Sequence, residues 1–311
     1  MKQAPANSWR PIDAVEAVVS TVWPRRWRDK SGWPFIAPAL LLVGILVIGL
    51  GYIIQDSLHE LDIATYRLGD AYTLANYGIL AQKTVYRTVI GRTLLAAAIV
   101  TGVSLFLALP YAYVLTRTSS SAMRKFLLVA IFLPFFIGQV VRAYGWLIIL
   151  GAKGLVNSLL GLLGIAPLDL LFNYGAVIFG LIQYMVPFAV LLLLPALAAI
   201  PEDVELASEN LGANWMQTFW HVVLPMARPG LVGASVVVFT LTLTDFATPE
   251  ILGGGTTDFI ANTIYDSFFE ISDPGLGSAL SVVLVTIGSA LVGLVFLALG
   301  TGTLDIARHQ E

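Results

Sequence analysis

The sequence predicts an all-α membrane protein with six spans, and three observations carry that reading. Of its 311 residues, 57% are hydrophobic and 12% are charged, against about 25% charged in a soluble domain. Mean hydropathy is +0.83. Six apolar stretches each reach the roughly 20 helical residues needed to cross a hydrocarbon core of about 30 Å. They are Trp33–Ile54, Val89–Leu115, Phe126–Leu150, Asn173–Leu197, Leu224–Thr244 and Leu276–Leu299.

Residues 1–32 precede the first span. Within them, Ile12–Asp29 places apolar residues at helical spacing and is followed by WPRRWRDK. One reading is a helix on the inner membrane surface with Trp23 and Trp27 at headgroup level. The other is a partly ordered cytoplasmic arm, and the residues leave both open. The apolar run from Trp33 exceeds the 7–15 residues of a signal-peptide core, and no small-residue cleavage site follows it. It reads as a retained span. Pro110, Pro134 and Pro187 fall inside later stretches. Neighbouring helices re-satisfy the backbone groups that such prolines free, so the spans stand.

Lys and Arg set the orientation. Arg10, Arg25, Arg26, Arg28 and Lys30 precede span one, Arg117, Arg124 and Lys125 lie between spans two and three, and Arg308 lies in the tail. The positive-inside rule makes these segments cytoplasmic. Both termini and the loop between spans four and five then lie inside. The expected organisation is an arm over 1–32, a transmembrane domain over 33–303 and a cytoplasmic tail over 304–311.

Several function classes fall away. The net charge of −3 offers no basic face for nucleic acid. Cysteine is absent, which removes disulfides and thiolate metal sites. His59, His221 and His309 are far apart in sequence, without metal-ligand spacing. None of the five lysines sits in a phosphate-loop motif. The Gly253–Gly255 run lacks the strand and helix context of a nucleotide loop and reads as a flexible outer loop. No Ser-His-Asp or His-Glu-x-x-His arrangement occurs, so no enzyme activity or cofactor is expected of this chain.

The loop Pro201–Pro229 is a polar, helix-forming island in an apolar chain. Pro201 suits an early helical position, and Glu202, Asp203 and Glu205 suit the positive end of a helix dipole. Leu206, Ala207 and Leu211 fall near one face, and Gly212 interrupts. Met216, Phe219 and Trp220 form a second apolar patch, and Pro225 is expected to open the next span. Such an element lays its apolar face either in a groove on a partner or on its own bundle.

This loop resembles the EAA loop of permease subunits in bacterial ATP-binding-cassette importers. Leu206, Ala207 and Ser208 stand at the E-A-A positions, Gly212 matches the glycine, and Val222, Leu224 and Pro225 match the closing aliphatic-x-Leu-Pro. The family glutamate is missing, because Leu206 occupies its place and Glu205 comes one residue early. The stretch NYGIL…RTLLAAAIVTGVSLFLALPYAYVLTR resembles the start of the permease domain, and FLPFFIGQVVRAYGWLIILGAKGLVNSLL and TDFATPEILGGG are similar to the third and fifth spans of the polyamine-transporter subfamily; together the likeness covers roughly residues 75–300 and points to the polyamine, opine and phosphonate branch. The resemblance implies a type I importer permease fold with a cytoplasmic coupling helix over 201–221. It implies two ATPase subunits that hold the ATP and Mg, a second permease, and a periplasmic solute-binding protein. The long N-terminus, with the likeness to one of two polyamine permease types, favours a heterodimeric pore. Glu205, Leu206, Ala207, Ser208, Leu211, Gly212, Phe219 and Pro225 are the residues it assigns to coupling, and Gly212 is expected to let the loop turn sharply.

Polar groups at membrane depth mark a path. Arg142, Tyr144 and Trp146 on span three, with Gln139 before them, Gln183 and Tyr184 on span four, and Asp245 and Glu250 after span five are the path residues. Each has a second reading. Arg142 snorkels or pairs with an acid such as Asp245, Tyr144 and Trp146 belong to an aromatic belt, and Gln183 bridges helices. Asp245, Glu250, Asp258, Asp266, Glu270 and Asp273 form an acidic outer side without a nearby basic residue in sequence. That side attracts cations, which agrees with a polyamine-like solute, or it docks basic residues of a binding protein, or it reflects the scarcity of Lys and Arg outside. A self-sufficient transporter, in contrast, is expected to carry ion-site acids at the midplane.

Overall fold

A computed structural model describes residues 33–299. The expected N-terminal arm, its interfacial helix and the tail lie outside the described residues. The chain divides after Ile53 into two units. The first is represented by helix α1, Trp33–Ser57, which carries Pro38 within it and runs on into the second unit.

The second unit starts with a feature that the helical pattern did not announce. His59–Asp62 (β1) and Arg67–Tyr72 (β2) pair as a two-stranded antiparallel hairpin. Asp62 closes its turn by accepting from Ala64 N at 3.0 Å and Thr65 Oγ1 at 2.8 Å. Asn76 donates to Ser57 O and His59 O and so ties the hairpin to helix α2, Ala75–Gln82. The remaining regular elements are helices.

The long helices are α3 (Thr84–Arg117), α7 (Tyr174–Ala198) and α14 (Pro274–Leu299). Between α3 and α7 come α4 (Ser121–Phe132), α5 (Gln139–Leu150) and α6 (Leu155–Leu162). After α7 come α8 (Glu202–Asn210), α9 (Trp215–Thr218), α10 (Leu224–Met226) and α11 (Arg228–Leu243). The short helices α12 (Ala247–Gly253) and α13 (Ile260–Tyr265) lead into α14.

Five helical segments are long and apolar enough to span a membrane, and six if the bent pair Trp215–Met226 and Arg228–Leu243 counts as one. Two expected spans differ in detail. The stretch Phe126–Leu150 is not one helix: it breaks into a 3₁₀ turn at Leu133–Phe136, and Gly138 is extended before α5 starts. Pro134 supplies no N–H to continue the ladder. Pro110 and Pro187, in contrast, stay inside unbroken helices. The fifth span is opened not by Pro225 but by Pro229, after a bend of 70° that follows α10.

The core is the mutual packing of α3, α7 and α11. Small residues of α3 (Ala96, Ala108, Ala112) lie against Leu181, Met185 and Leu193 of α7 and Val238 of α11. Small side chains let helix backbones approach in lipid, where dispersion replaces the hydrophobic drive between helices. Gly230 shows how close that approach is, because a Cβ there would collide with Ala196 of α7. The Gly253–Gly255 run is not a loose loop. Gly254 caps α12 at φ 55°, and a Cβ on it would meet the Phe172 ring.

Candidate functional site

Two constellations stand out, one midway along α7 and one at the Arg117 end of α3. Midway along α7, polar side chains converge from three directions. Gln139, Arg142 and Trp146 share one face of α5, because positions i, i+3 and i+7 align on a helix. Gln183 and Tyr184 come from α7, and Asp245 comes from the turn after α11.

These residues bond to one another. Gln139 Nε2 donates to Asp245 Oδ2 at 2.5 Å, and Thr248 N donates to Asp245 Oδ1 at 2.9 Å. Trp146 Nε1 donates to Gln183 Oε1 at 3.3 Å. Arg142 does not pair with Asp245. It donates to Pro134 O at 3.0 Å, a carbonyl in the break before α5, and its guanidinium lies 4.5 Å from the centre of the Tyr184 ring. Asp245 is buried. The space left between Gln139, Arg142, Trp146, Gln183, Tyr184 and Thr248, with Ala143, Gly180 and Leu252, is about 10 Å³, too small for a solute.

Two expected path residues stand apart. Tyr144 is exposed, because its place two residues from Arg142 turns it about 200° away. Glu250 lies outside the cluster and accepts from Asn262 Nδ2 at 2.8 Å, while Asn262 also holds Phe246 O. Beyond it, burial, with Glu270, Asp258 and Glu250 nearby, lifts the Asp266 carboxyl to about 6.

The other constellation is the polar loop at the Arg117 end of α3. Pro201 sits just ahead of α8, at its N-cap. The helix ends on Gly212 at φ 91°. Gly212 N donates to Glu209 O at 2.8 Å and Ala213 N to Ser208 O at 3.2 Å, the paired bonds of a Schellman cap. Space is not what this position needs, since a Cβ would touch nothing within 4 Å. The backbone angle is. Asn214 then opens α9 with a capping box, accepting from Gln217 N at 2.9 Å while its own N–H donates to Gln217 Oε1 at 2.8 Å. A π-helical stretch, Phe219–Val223, joins α9 to α10.

The coupling residues expected from the sequence divide between two faces. Leu206 is 54% exposed and Leu211 90% exposed, and Trp215, Met216 and Trp220 are exposed beside them. Ala207 and Pro225 are exposed, and Ser208 is half-buried and shares a hydrogen bond with Thr218 at 3.1 Å. Glu205 and Phe219 face the other way, buried against the bundle. Glu205 takes Arg117 Nε at 2.7 Å and Nη2 at 2.5 Å, and Tyr113 OH at 2.6 Å. From the sequence Arg117 was read only as a cytoplasmic positive charge and Tyr113 was not singled out, although a basic residue closing an apolar run of such length was a usable signal for a buried partner. Asn262 and Asn157 were missed as well. Asn157 pins the loop after α6 through Gly151 O, Leu168 O and Leu168 N.

Residues 101–301 match the family of inner membrane components of binding-protein-dependent transport systems. The chain belongs to this family. An inner membrane ABC transporter permease protein of Escherichia coli K12, YdcU, is 32% identical over 270 residues, covering 80% of this chain and 86% of that one. The spermidine/putrescine transport system permease protein PotB of Salmonella typhimurium SL1344 is 30% identical over 267 residues, covering 85% and 89%. The crystal structure of a bacterial ABC transporter involved in the import of alginate shares the fold, with a TM-score of 0.74 at 19% identity, over 93% of this chain and 100% of that one.

This permease is therefore a transport subunit of a binding-protein-dependent ABC importer for a small solute, and not an enzyme. It is a multi-pass inner membrane protein. Its assembly also comprises ATPase subunits and a periplasmic binding protein. Among the described residues no group of three or more His, Asp or Glu side chains is placed to hold a metal ion.

Proposed function

We propose that this permease forms half of the translocation path for a polyamine-like solute, that a different permease completes the pore, and that residues 201–221 carry the motion of a cytoplasmic ATPase to the spans. One observation carries the coupling reading. Leu206, Leu211, Trp215, Met216 and Trp220 are exposed among polar side chains such as Glu209, Asn210 and Gln217, while Glu205 and Phe219 hold the segment to the bundle. Large apolar side chains left exposed on such a segment favour a groove on a partner. Arg117, Arg124 and Lys125 lie at the same end, which supports a cytoplasmic loop by the positive-inside rule and, with six spans, termini on that same side.

The polyamine reading rests on three supports. PotB, named for spermidine and putrescine, is among the relatives. Acids gather toward the opposite end of the bundle, where burial first and then neighbouring carboxylates raise the pKa of Asp258 and Asp266, with Arg92 acting against it at Asp258; an excess of acids at that mouth favours cations. Within the cluster, the face of Tyr184 already holds a cation, the guanidinium of Arg142. That same guanidinium favours a second reading, a phosphonate or other anionic solute, once the cluster opens.

Reconstitution tests the proposal. Vesicles holding the permease together with its ATPase and second permease, with the cognate binding protein outside, are expected to take up labelled spermidine only when ATP is inside. Uptake by this chain alone contradicts the importer reading. Uptake of a phosphonate with spermidine refused contradicts the polyamine reading and leaves the coupling reading standing.

A further inference from the structure

We propose that Glu205, Arg117 and Tyr113 form the link through which the coupling segment moves α3, a helix to which it has no direct chain connection. The proposal rests on the coupling reading above and adds the route by which the motion leaves the loop.

The segment is joined through the chain to α7 at Pro201 and to α11 through the bend after α10. Helix α3 ends at Arg117, far earlier in the sequence, yet its last turn is gripped from both limbs of the segment. From the first limb, Glu205 of α8 takes two donors from Arg117 and one from Tyr113. From the second limb, Phe219 sets its ring edge on Tyr113 with centroids 5.4 Å apart, and Trp215 follows at 6.4 Å. The Ser208–Thr218 hydrogen bond fastens the limbs together.

Arg117 adds a third attachment. Its Nη2 also donates to Ile200 O at 2.9 Å, a carbonyl at the end of α7. One guanidinium thus holds the end of α7, the start of the coupling segment and its own helix in register. This is the only ion pair between side chains among the described residues, and both partners are largely shielded, at 16% and 12% side-chain exposure. A planar guanidinium bonded to one carboxylate oxygen through two nitrogens resists rotation and shear better than an apolar contact does. Apolar packing slides; a fork of directed bonds does not. The carboxylate one residue early in the loop is therefore a positioning group that faces its own chain, and the partner-facing surface is left to Leu206 and Leu211.

The absence of cysteine allows a direct test. Paired spin labels at Val85→Cys in α3 and Phe269→Cys, both exposed, report the α3 distance in the complex purified with its ATPase and second permease. Adding ATP with vanadate is expected to shift that distance in the otherwise unchanged protein. Glu205→Gln keeps the shape of the side chain and is expected to keep ATPase co-purification, yet to lower the shifted population about fivefold or more, the lower end of typical coupling between sites. The exchange Arg117→Glu with Glu205→Arg is expected to recover at least part of the shift, which a general loss of stability would not do. A normal shift in Glu205→Gln overturns the link. A complex that retains its ATPase in Leu206→Glu, Leu211→Glu overturns the coupling reading itself, and the link with it.

Discussion

Gln139 donates to Asp245 at 2.5 Å and so locks the start of α5 to the turn after α11. The bond joins the polar cluster midway along α7 and ties the break before α5 to the turn between α11 and α12. A buried carboxylate that loses a donor keeps its desolvation cost, about 1–3 kcal/mol or more for a charged group. Gln139→Ala is expected to lower the melting temperature in detergent. Asp245→Asn, which keeps an acceptor for Thr248, is expected to lower it less. Equal melting of Gln139→Ala and the unaltered protein contradicts this role.

Gly212 is expected to tolerate Asn better than Val. Its φ of 91° closes the cap between α8 and α9, and an L side chain there costs about 1–2 kcal/mol, most for a β-branched one. The affinity of the purified permease for its ATPase is expected to fall about tenfold in Gly212→Val, the equivalent of about 1.4 kcal/mol. Gly212→Asn falls less. Titration of labelled ATPase onto the immobilised permease measures both.

The bundle was legible wherever the signal was local. Runs of apolar residues locate α1, α3, α7 and α14, polar residues within such runs marked Arg142 and Gln183, and an acid closing one marked Asp245. What the runs lack is direction. Pro110, Pro134 and Pro187 look alike in the sequence, yet only the stretch around Pro134 breaks, where Gly138 and the reach of Arg142 back to Pro134 O support an extended turn. Tyr144 was grouped with Arg142 by nearness along the chain, whereas helical geometry sets it on another face. The inward face of Glu205 depends on Arg117, a partner 88 positions away, and no property of the loop alone distinguishes it from Leu206. The hairpin β1–β2 was missed because its strands are short and mostly exposed, so they lack an apolar alternation.

Gly230 marks the crossing of α11 over α7. A Cβ there would collide with Ala196, and overfilling such a contact costs about 1–3 kcal/mol. Gly230→Val is expected to reduce melting temperature and transport together. Ala196→Gly with Gly230→Ala is expected to restore part of both, as read by thermal unfolding and solute uptake. Failure of the pair to improve on Gly230→Ala alone contradicts the close crossing.

Asp266 gives a pH signature. Its carboxyl is lifted from 3.8 to about 6, first by burial and then by Glu270, Asp258 and Glu250. The folded protein therefore binds more protons than the unfolded chain between these values, and stability falls as pH rises through that window. The effect is small because Asp266 is only partly buried and solvent screens it. Melting measured from pH 4 to pH 7 is expected to show a shallow decline that Asp266→Asn flattens. A rise over the same window contradicts it.

The central claim is that the Leu206–Trp220 face meets an ATPase in the cytoplasm, and a single thiol tests it most directly. The chain has no cysteine, and Leu211 is 90% exposed, so Leu211→Cys carries the one reactive site. A membrane-impermeant maleimide is expected to spare it in intact spheroplasts, to label it in inside-out vesicles stripped of ATPase, and to lose access when the ATPase is added back. Labelling from the outside, or labelling that the ATPase leaves unchanged, contradicts the account.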